Sequence, residues 1–258
     1  MPTAFPPRLK ARRFADVTPE LRAALESGAE ETATLTEQLS IDLARLLAHV
    51  FPHLADLAET GIDRRAGYTR RMAMAADVVR SGEGADAFDF MAAHASDTVR
   101  GWAAYLLAAI PHLSLADRLA KIRPLADDRH FGVREWAWIA LRPHIAADIG
   151  GAIGLLRPWV EAPSANIRRF AVESTRPRGV WCAHIPVLKA EPHLGRPLLE
   201  PLKDEPKRYV QDSAANWLND AARLHPDWVR EVVADWRAQG GTAVDYIGRR
   251  ALRSLPPV

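Results

Sequence analysis

This chain of 258 residues has a single cysteine, Cys182. One cysteine excludes an intrachain disulfide framework and a multi-cysteine metal site. Long apolar runs are missing too. No segment approaches the roughly 18–20 uninterrupted apolar residues of a membrane helix. Met1-Pro2-Thr3-Ala4-Phe5 leads into basic residues rather than an apolar run, which does not read as a secretory signal. Alternating β-branched stretches, the mark of strands, are nearly absent. Gly82-Glu83-Gly84 lacks the following Lys-Ser/Thr of a phosphate loop and reads as a turn. His49 and His53 are four apart, but Pro52 interrupts their helix, so they read as structural residues rather than metal ligands. What is left is a helical protein, expected to be soluble, cytoplasmic and monomeric, with no metal and no cofactor.

A short phrase recurs. It reads Asp97-Thr98-Val99-Arg100-Gly101-Trp102-Ala103, then Phe131-Gly132-Val133-Arg134-Glu135-Trp136-Ala137, then Ala165-Asn166-Ile167-Arg168-Arg169-Phe170-Ala171. Val99, Val133 and Ile167 are each 34 residues apart. Weaker copies follow around Val210 with Ala214, and around Ile247 with Ala251. In every copy an Ala lies four residues after the aliphatic residue, one helical turn away. Self-similarity at this spacing marks a stacked helical solenoid. We therefore expect one all-α solenoid domain over 1–258, with N-terminal helices in 1–96 and recognisable repeats in 97–258. The repeated aliphatic residue and Ala should lie in the core.

Charge is unevenly distributed. Residues 1–128 hold 15 Lys/Arg and 18 Asp/Glu; residues 129–208 hold 13 and 8, most of the cations being Arg. Arg suits planar, bidentate contact with phosphate. The Arg after each repeated aliphatic residue can point outward, and Arg100, Arg134 and Arg168 would then form a basic stripe in a concave groove, matched to the backbone of a nucleic-acid duplex. Alternatively, each of them pairs with an Asp of the neighbouring repeat.

Local signals place the helices. Thr18-Pro19-Glu20 reads as an N-cap followed by proline at the first helical position, with a helix to about Glu26 and a stop at Gly28. Thr32 to Val50 reads as one amphipathic helix, with Leu35, Leu39, Leu43, Leu46 and Leu47 on one face and Pro52 at its end. Arg65–Ser81 and Ala85–Ser96 form the next pair. Arg142-Pro143 and Arg176-Pro177 each lie nine residues after a repeated aliphatic residue, and proline there should end the repeated helix. From Ile167 to Val210 the spacing stretches to 43 residues, so the Pro-, His- and Gly-rich interval 178–202 reads as an inserted loop. Pro256-Pro257-Val258 should fray.

Two clusters stand out from the repeat. Glu173-Ser174-Thr175-Arg176-Pro177-Arg178-Gly179-Val180-Trp181 places an acid near a helix end and a tryptophan beyond the helix-stopping proline. Trp181 there either stacks on a sugar or base or plugs the end of the repeat. Asn216-Trp217-Leu218-Asn219-Asp220 ends in an acid that either caps a helix or faces the groove. Cys182 reads as a packed thiol.

The order Glu173, Arg176-Pro177-Arg178, Trp181, followed by Glu205-Pro206-Lys207-Arg208-Tyr209-Val210, Ser213 and Ala215-Asn216-Trp217-Leu218-Asn219-Asp220, resembles the AlkC branch of the AlkC/AlkD family of DNA alkylation repair proteins. The segment Glu31–Asp42 is similar to that family's N-terminal region, so the resemblance covers nearly the whole chain. It implies a HEAT-like α-solenoid (an α-α superhelix) that grips double-stranded DNA carrying alkylated bases in a concave basic groove. It implies a monofunctional glycosylase that removes bases alkylated at ring nitrogens, chiefly 3-methyladenine and also 3-methylcytosine. Alternatives are a non-catalytic binder of branched or distorted DNA and a protein-binding scaffold. By motif, Asp220 resembles the acid that steadies the transition state, Trp181 the aromatic contact to the lesion nucleotide, and Glu173 a second acid of the site. Arg176 and Arg178 become phosphate or scaffold residues, and Arg134, Arg168, Arg169 and Asn216 further DNA contacts. The family's upstream acid lies in a Glu-aromatic-Ala-x-Arg-Pro setting. Here Arg142-Pro143 comes later than that pattern, so Glu135 is either the equivalent acid or simply a repeat position.

Overall fold

The computed structural model describes residues 10–256, so Pro257 and Val258 of the expected frayed tail lie outside the described residues. Among these residues there are helices and turns and no strand. The chain divides into two compact units. One comprises residues up to Leu113 with Arg129–Ala137, and the other Ser114–Asp128 with residues from Trp138 onward.

The first unit begins with α1 (Pro19–Glu26), whose first turn is capped by the Thr18 side chain accepting from Leu21 N–H. Gly28 follows with φ +75°, the left-handed geometry that ends a helix. The stretch expected as one helix over Thr32–Val50 is instead two, α2 (Leu35–Ser40) and α3 (Leu43–Val50). Ile41 is extended between them, and Asp42 restarts the chain by accepting from Ala44 N–H and Arg45 N–H. Leu43, Leu46 and Leu47 are buried, Leu39 is half-buried and Leu35 is exposed, so most of the apolar face belongs to α3. Next come α4 (Ala55–Gly61), α5 (Tyr68–Glu83), α6 (Ala87–Ala92) and α7 (Asp97–Ala109). The turn read at Gly82-Glu83-Gly84 shrinks to Gly84, at φ +75°, after α5.

α8 (Leu115–Ala126) belongs to the second unit, and α9 (Phe131–Ala147) starts in the first unit and ends in the second. Then follow α10 (Ile149–Leu156), α11 (Ala165–Glu173), α12 (Pro186–Ala190), α13 (Arg196–Leu199), α14 (Arg208–Ala222), α15 (Pro226–Ala238) and α16 (Val244–Ala251). Within this unit α11 packs on α14, and α14 packs on α16.

The repeat grammar holds in the core. Val99, Val133, Ile167, Val210 and Ile247 are buried, as are the five alanines one turn later, Ala103, Ala137, Ala171, Ala214 and Ala251. Small side chains at these points let neighbouring helices approach closely. Two expectations about proline and loops do not hold. α9 runs through Pro143 rather than ending there, because Leu141 and Ile145 are buried on the core side while Pro143 faces solvent. That burial offsets the backbone hydrogen bond lost at proline, about 3 kcal/mol or more. α11, by contrast, ends before Pro177. The interval 178–202 is a tight turn followed by short helices, not an open loop, and it buries Ile185, Leu188, Leu198 and Leu199.

The arginine of the repeated phrase does not stand free. Arg100 donates from Nη1 to the carbonyls of His94 and Ala95, both at 2.8 Å, and pairs with Glu31. Arg168 does the same with the carbonyls of Ala162 and Pro163, both at 2.8 Å, and meets Glu205 through two bonds of 2.7 Å. Arg134 donates to the carbonyl of Arg129 at 3.0 Å. The repeated Arg therefore fastens the loop preceding its own helix. At Arg100 and Arg168 this ion-paired role replaces the expected outward stripe. With Arg168→Met, the buried Glu205 carboxylate loses its partner, and we expect unfolding free energy to fall by about 3–5 kcal/mol. Adding Glu205→Gln should recover part of that loss in urea titrations.

Candidate active site

Two helices of the second unit supply one polar face. On α11 and just after it, Arg169, Glu173 and Arg176 follow at helical spacing. On α14 the same spacing sets Tyr209, Ser213, Asn216 and Asp220 in line. Arg176 bridges the two rows. Its Nη1 donates to Glu173 Oε1 at 2.6 Å, and its Nε donates to Asp220 Oδ2 at 3.0 Å. The other oxygen of Glu173 accepts from Ser213 Oγ at 2.6 Å and lies 3.9 Å from Arg169 Nη2. Both Glu173 oxygens are thus occupied.

Burial treats the two carboxylates differently. Desolvation alone would raise Glu173, but the positive charges of Arg169 and Arg176 and the hydrogen bonds from Ser213 and Arg176 outweigh it, leaving its carboxyl below the usual glutamate range. At Asp220 desolvation wins. Arg176 and a backbone hydrogen bond from Arg178 pull the other way, and its carboxyl still sits above the usual aspartate range. The same burial opposes the charge of Arg176, but Glu173 and Asp220 more than compensate and hold it firmly protonated.

Trp181 lies on the turn that follows. It is 46% exposed and adopts φ +63°, an unusual backbone region for a bulky side chain. The reading of Trp181 as a core plug is therefore excluded. The core tryptophan of this region is Trp217, whose Nε1 donates to the Thr175 carbonyl at 3.1 Å. Gly179 makes the turn possible, since a Cβ there would lie 2.3 Å from Cys182 Sγ. Cys182 is half-buried, and burial pushes its thiol above the usual range.

Sequence reasoning grouped Glu173, Arg176, Arg178, Trp181 and Asp220, and the structure brings Glu173, Arg176 and Asp220 into one cluster with Arg178 at its edge. Arg178 keeps a buried Nε without a hydrogen-bond partner beside Asp220. Asn216 accepts from Arg253 Nη2 at 3.0 Å, and Arg169 stacks over the Tyr209 ring at 4.5 Å. Arg134 and Glu135 are half-buried on α9, in the first unit. The reading of Asp220 as a helix cap fails, because it lies inside α14. Sequence reasoning missed Ser213 as a holder of Glu173, Arg253 beside Asn216, and Arg208, whose guanidinium stacks 3.4 Å over Tyr246 on α16. It also missed Arg142. A signal for that residue was present: Arg142, Arg176 and Asn219 each lie nine residues after a repeated aliphatic residue, and each donates across to the next repeat.

The chain has the AlkC/AlkD helical repeat fold. It superposes on the alkylpurine DNA glycosylase AlkC of Pseudomonas fluorescens, solved bound to DNA containing an abasic site analog, with a TM-score of 0.66 at 23% identity, covering 85% of this chain and 62% of that one. With AlkD2 of Streptococcus mutans the TM-score is 0.63 at 18% identity, over 80% of this chain and 99% of that one. By sequence, 148 residues are 38% identical to YhaZ of Bacillus subtilis (strain 168), an uncharacterized protein; they make up 57% of this chain and 40% of YhaZ. The chain thus matches less than two thirds of the length of YhaZ and of AlkC. No protein-family model matches it. No helix among the described residues is long and apolar enough to cross a membrane.

The pKa directions make a pH test with a definite sign. A depressed Glu173 contributes stability above the ordinary glutamate range, and that contribution disappears as pH falls through its lowered value. Glu173→Gln should therefore destabilise the fold at neutral pH by about 3–5 kcal/mol, with the difference from wild type closing at acidic pH. In carboxyl-carbon NMR, Asp220 should titrate above the ordinary aspartate range and Glu173 below the ordinary glutamate range; a shift of either in the opposite direction would contradict the split described above.

Proposed function

We propose that this protein is a DNA glycosylase of alkylation repair, hydrolysing the N-glycosidic bond of bases alkylated at ring nitrogens in duplex DNA, with 3-methyladenine and 3-methylcytosine as the substrates to test first. The observation that carries the reading is the pair of buried carboxylates on neighbouring repeats, bridged by one guanidinium and followed by an exposed tryptophan on a strained turn. The shared fold with a DNA glycosylase supports it.

The residue types suit this chemistry. A base methylated at N3 is cationic and leaves as a neutral molecule, so general-acid protonation, typically worth about 10²–10⁴ in rate, is largely dispensable. The bond from C1′ to the base nitrogen breaks with its electron pair going to the base. Positive charge builds on the deoxyribose, and a water oxygen adds to C1′ while its proton passes to a carboxylate or to solvent. A carboxylate beside the sugar stabilises that charge. Asp220 fits the role better than Glu173, because its side chain is the more accessible of the two and Glu173 has both oxygens engaged. Glu173 then acts through Arg176, setting where the guanidinium meets Asp220. Trp181 supplies an aromatic face for the cationic nucleotide. Since Arg100 and Arg168 are held by internal acids, contacts to the DNA backbone fall to other cations, among them Arg169, Arg208 and Arg178.

Incubating the protein with methylated duplex DNA should release free methylated bases, seen by chromatography. Asp220→Asn should reduce release by about 10²-fold or more and leave duplex binding within a fewfold of wild type. Wild-type protein that binds duplex DNA and releases no base would overturn the reading in favour of a non-catalytic DNA binder.

A further inference from the structure

Arg142 is 2% exposed, yet it touches neither carboxylate through a hydrogen bond. Its guanidinium is committed to three carbonyls of the following segment. Nη1 donates to Ser174 at 2.9 Å, Nη2 to Arg176 at 2.5 Å, and Nε to Ala183 at 2.9 Å. Two of these acceptors precede the Trp181 turn and one follows it. A single rigid fork thereby holds both ends of the turn at a fixed separation. The backbone bond from Ile185 N–H to the Pro177 carbonyl, at 3.1 Å, closes the same loop, and Gly179 packs against the guanidinium, its missing Cβ 3.1 Å from Arg142 Cζ.

Trp181 sits within this loop at φ +63°. A left-handed conformation at a bulky residue lasts only where its surroundings over-determine it. Burying a guanidinium is also unfavourable unless its donors find acceptors, so the three carbonyls and the Arg fix each other. The chemistry of the clamp differs from that of Arg176. Arg176 meets carboxylates and sets charge, whereas Arg142 meets carbonyls and sets backbone geometry.

We propose that Arg142 is a positioning residue that holds Trp181 in its working orientation by clamping the two ends of its turn. The inference rests on the glycosylase reading for its catalytic consequence, but the clamp itself can be tested without activity. Arg178-Gly179 is a trypsin site inside the loop, while Arg176-Pro177 resists the enzyme. In Arg142→Met the Arg178-Gly179 bond should be cut about tenfold faster or more than in wild type, with the helical circular dichroism retained. Base release should fall about tenfold in kcat with little change in KM, and the double variant Arg142→Met/Trp181→Ala should be no slower than Trp181→Ala alone. Arg142→Lys, which keeps the charge but can serve only part of the carbonyl set, should fall between wild type and Arg142→Met, and it replaces that variant in every assay if Arg142→Met does not fold. Unchanged proteolysis at Arg178-Gly179, or effects of the two substitutions that multiply in the double variant, would overturn the clamp. Absence of base release from wild-type protein would instead overturn the glycosylase reading, with the proteolysis result still standing on its own.

Discussion

A guanidinium removed from water must find acceptors for its donors, and that requirement organises the second unit. Nine residues after Val133, Ile167 and Val210 stands a side chain with N–H groups: Arg142, Arg176, Asn219. Each reaches to the next repeat. Arg142 finds the carbonyls at the end of α11 and beyond, and Asn219 finds the Ala251 carbonyl at 2.8 Å at the end of α16. These rungs satisfy orphan carbonyls at helix ends, which otherwise lack partners inside the helix. The same contacts lock the offset between successive repeats.

The middle rung departs from this pattern, and the candidate chemistry lies there. Arg176 meets two carboxylates instead of carbonyls. A charge that elsewhere only joins repeats here divides two acids into unlike roles, one held below the ordinary range and one above it. The difference follows from partners. Glu173 is served by Arg176, Ser213 and Arg169, whereas Asp220 shares in Arg176 and a backbone N–H. The turn bearing Trp181 begins where Arg178 hydrogen-bonds Asp220, so the acid and the aromatic residue are parts of one construction.

Much of this was legible in the sequence because it is local and repeated. The Thr18 cap, the buried Val/Ile and Ala positions, and the association of Glu173, Arg176 and Asp220 were read from spacing or motif, and the structure places them accordingly. The failures share one cause, competition from distant partners. The interruption at Ile41 is stabilised from outside the helix, with Glu26 accepting from Asp42 N–H at 3.1 Å across the chain. Pro143 signals a stop, but burial of Ile145 carries α9 on. Arg100 and Arg168 looked outward-facing because nothing local marks Glu31 or Glu205 as their partners.

The sequence alone determined the all-helical class, the 34-residue beat and the residue types of the site, because these depend on periodicity and on chemistry carried by single side chains. Tertiary structure decided which charges are available. Whether an arginine's charge faces solvent or is neutralised depends on where acids such as Glu31 and Glu205 arrive from distant segments. Whether a carboxyl sits above or below its ordinary pKa depends on how much water its neighbours exclude. Those are properties of three-dimensional proximity, and no spacing along the chain encodes them.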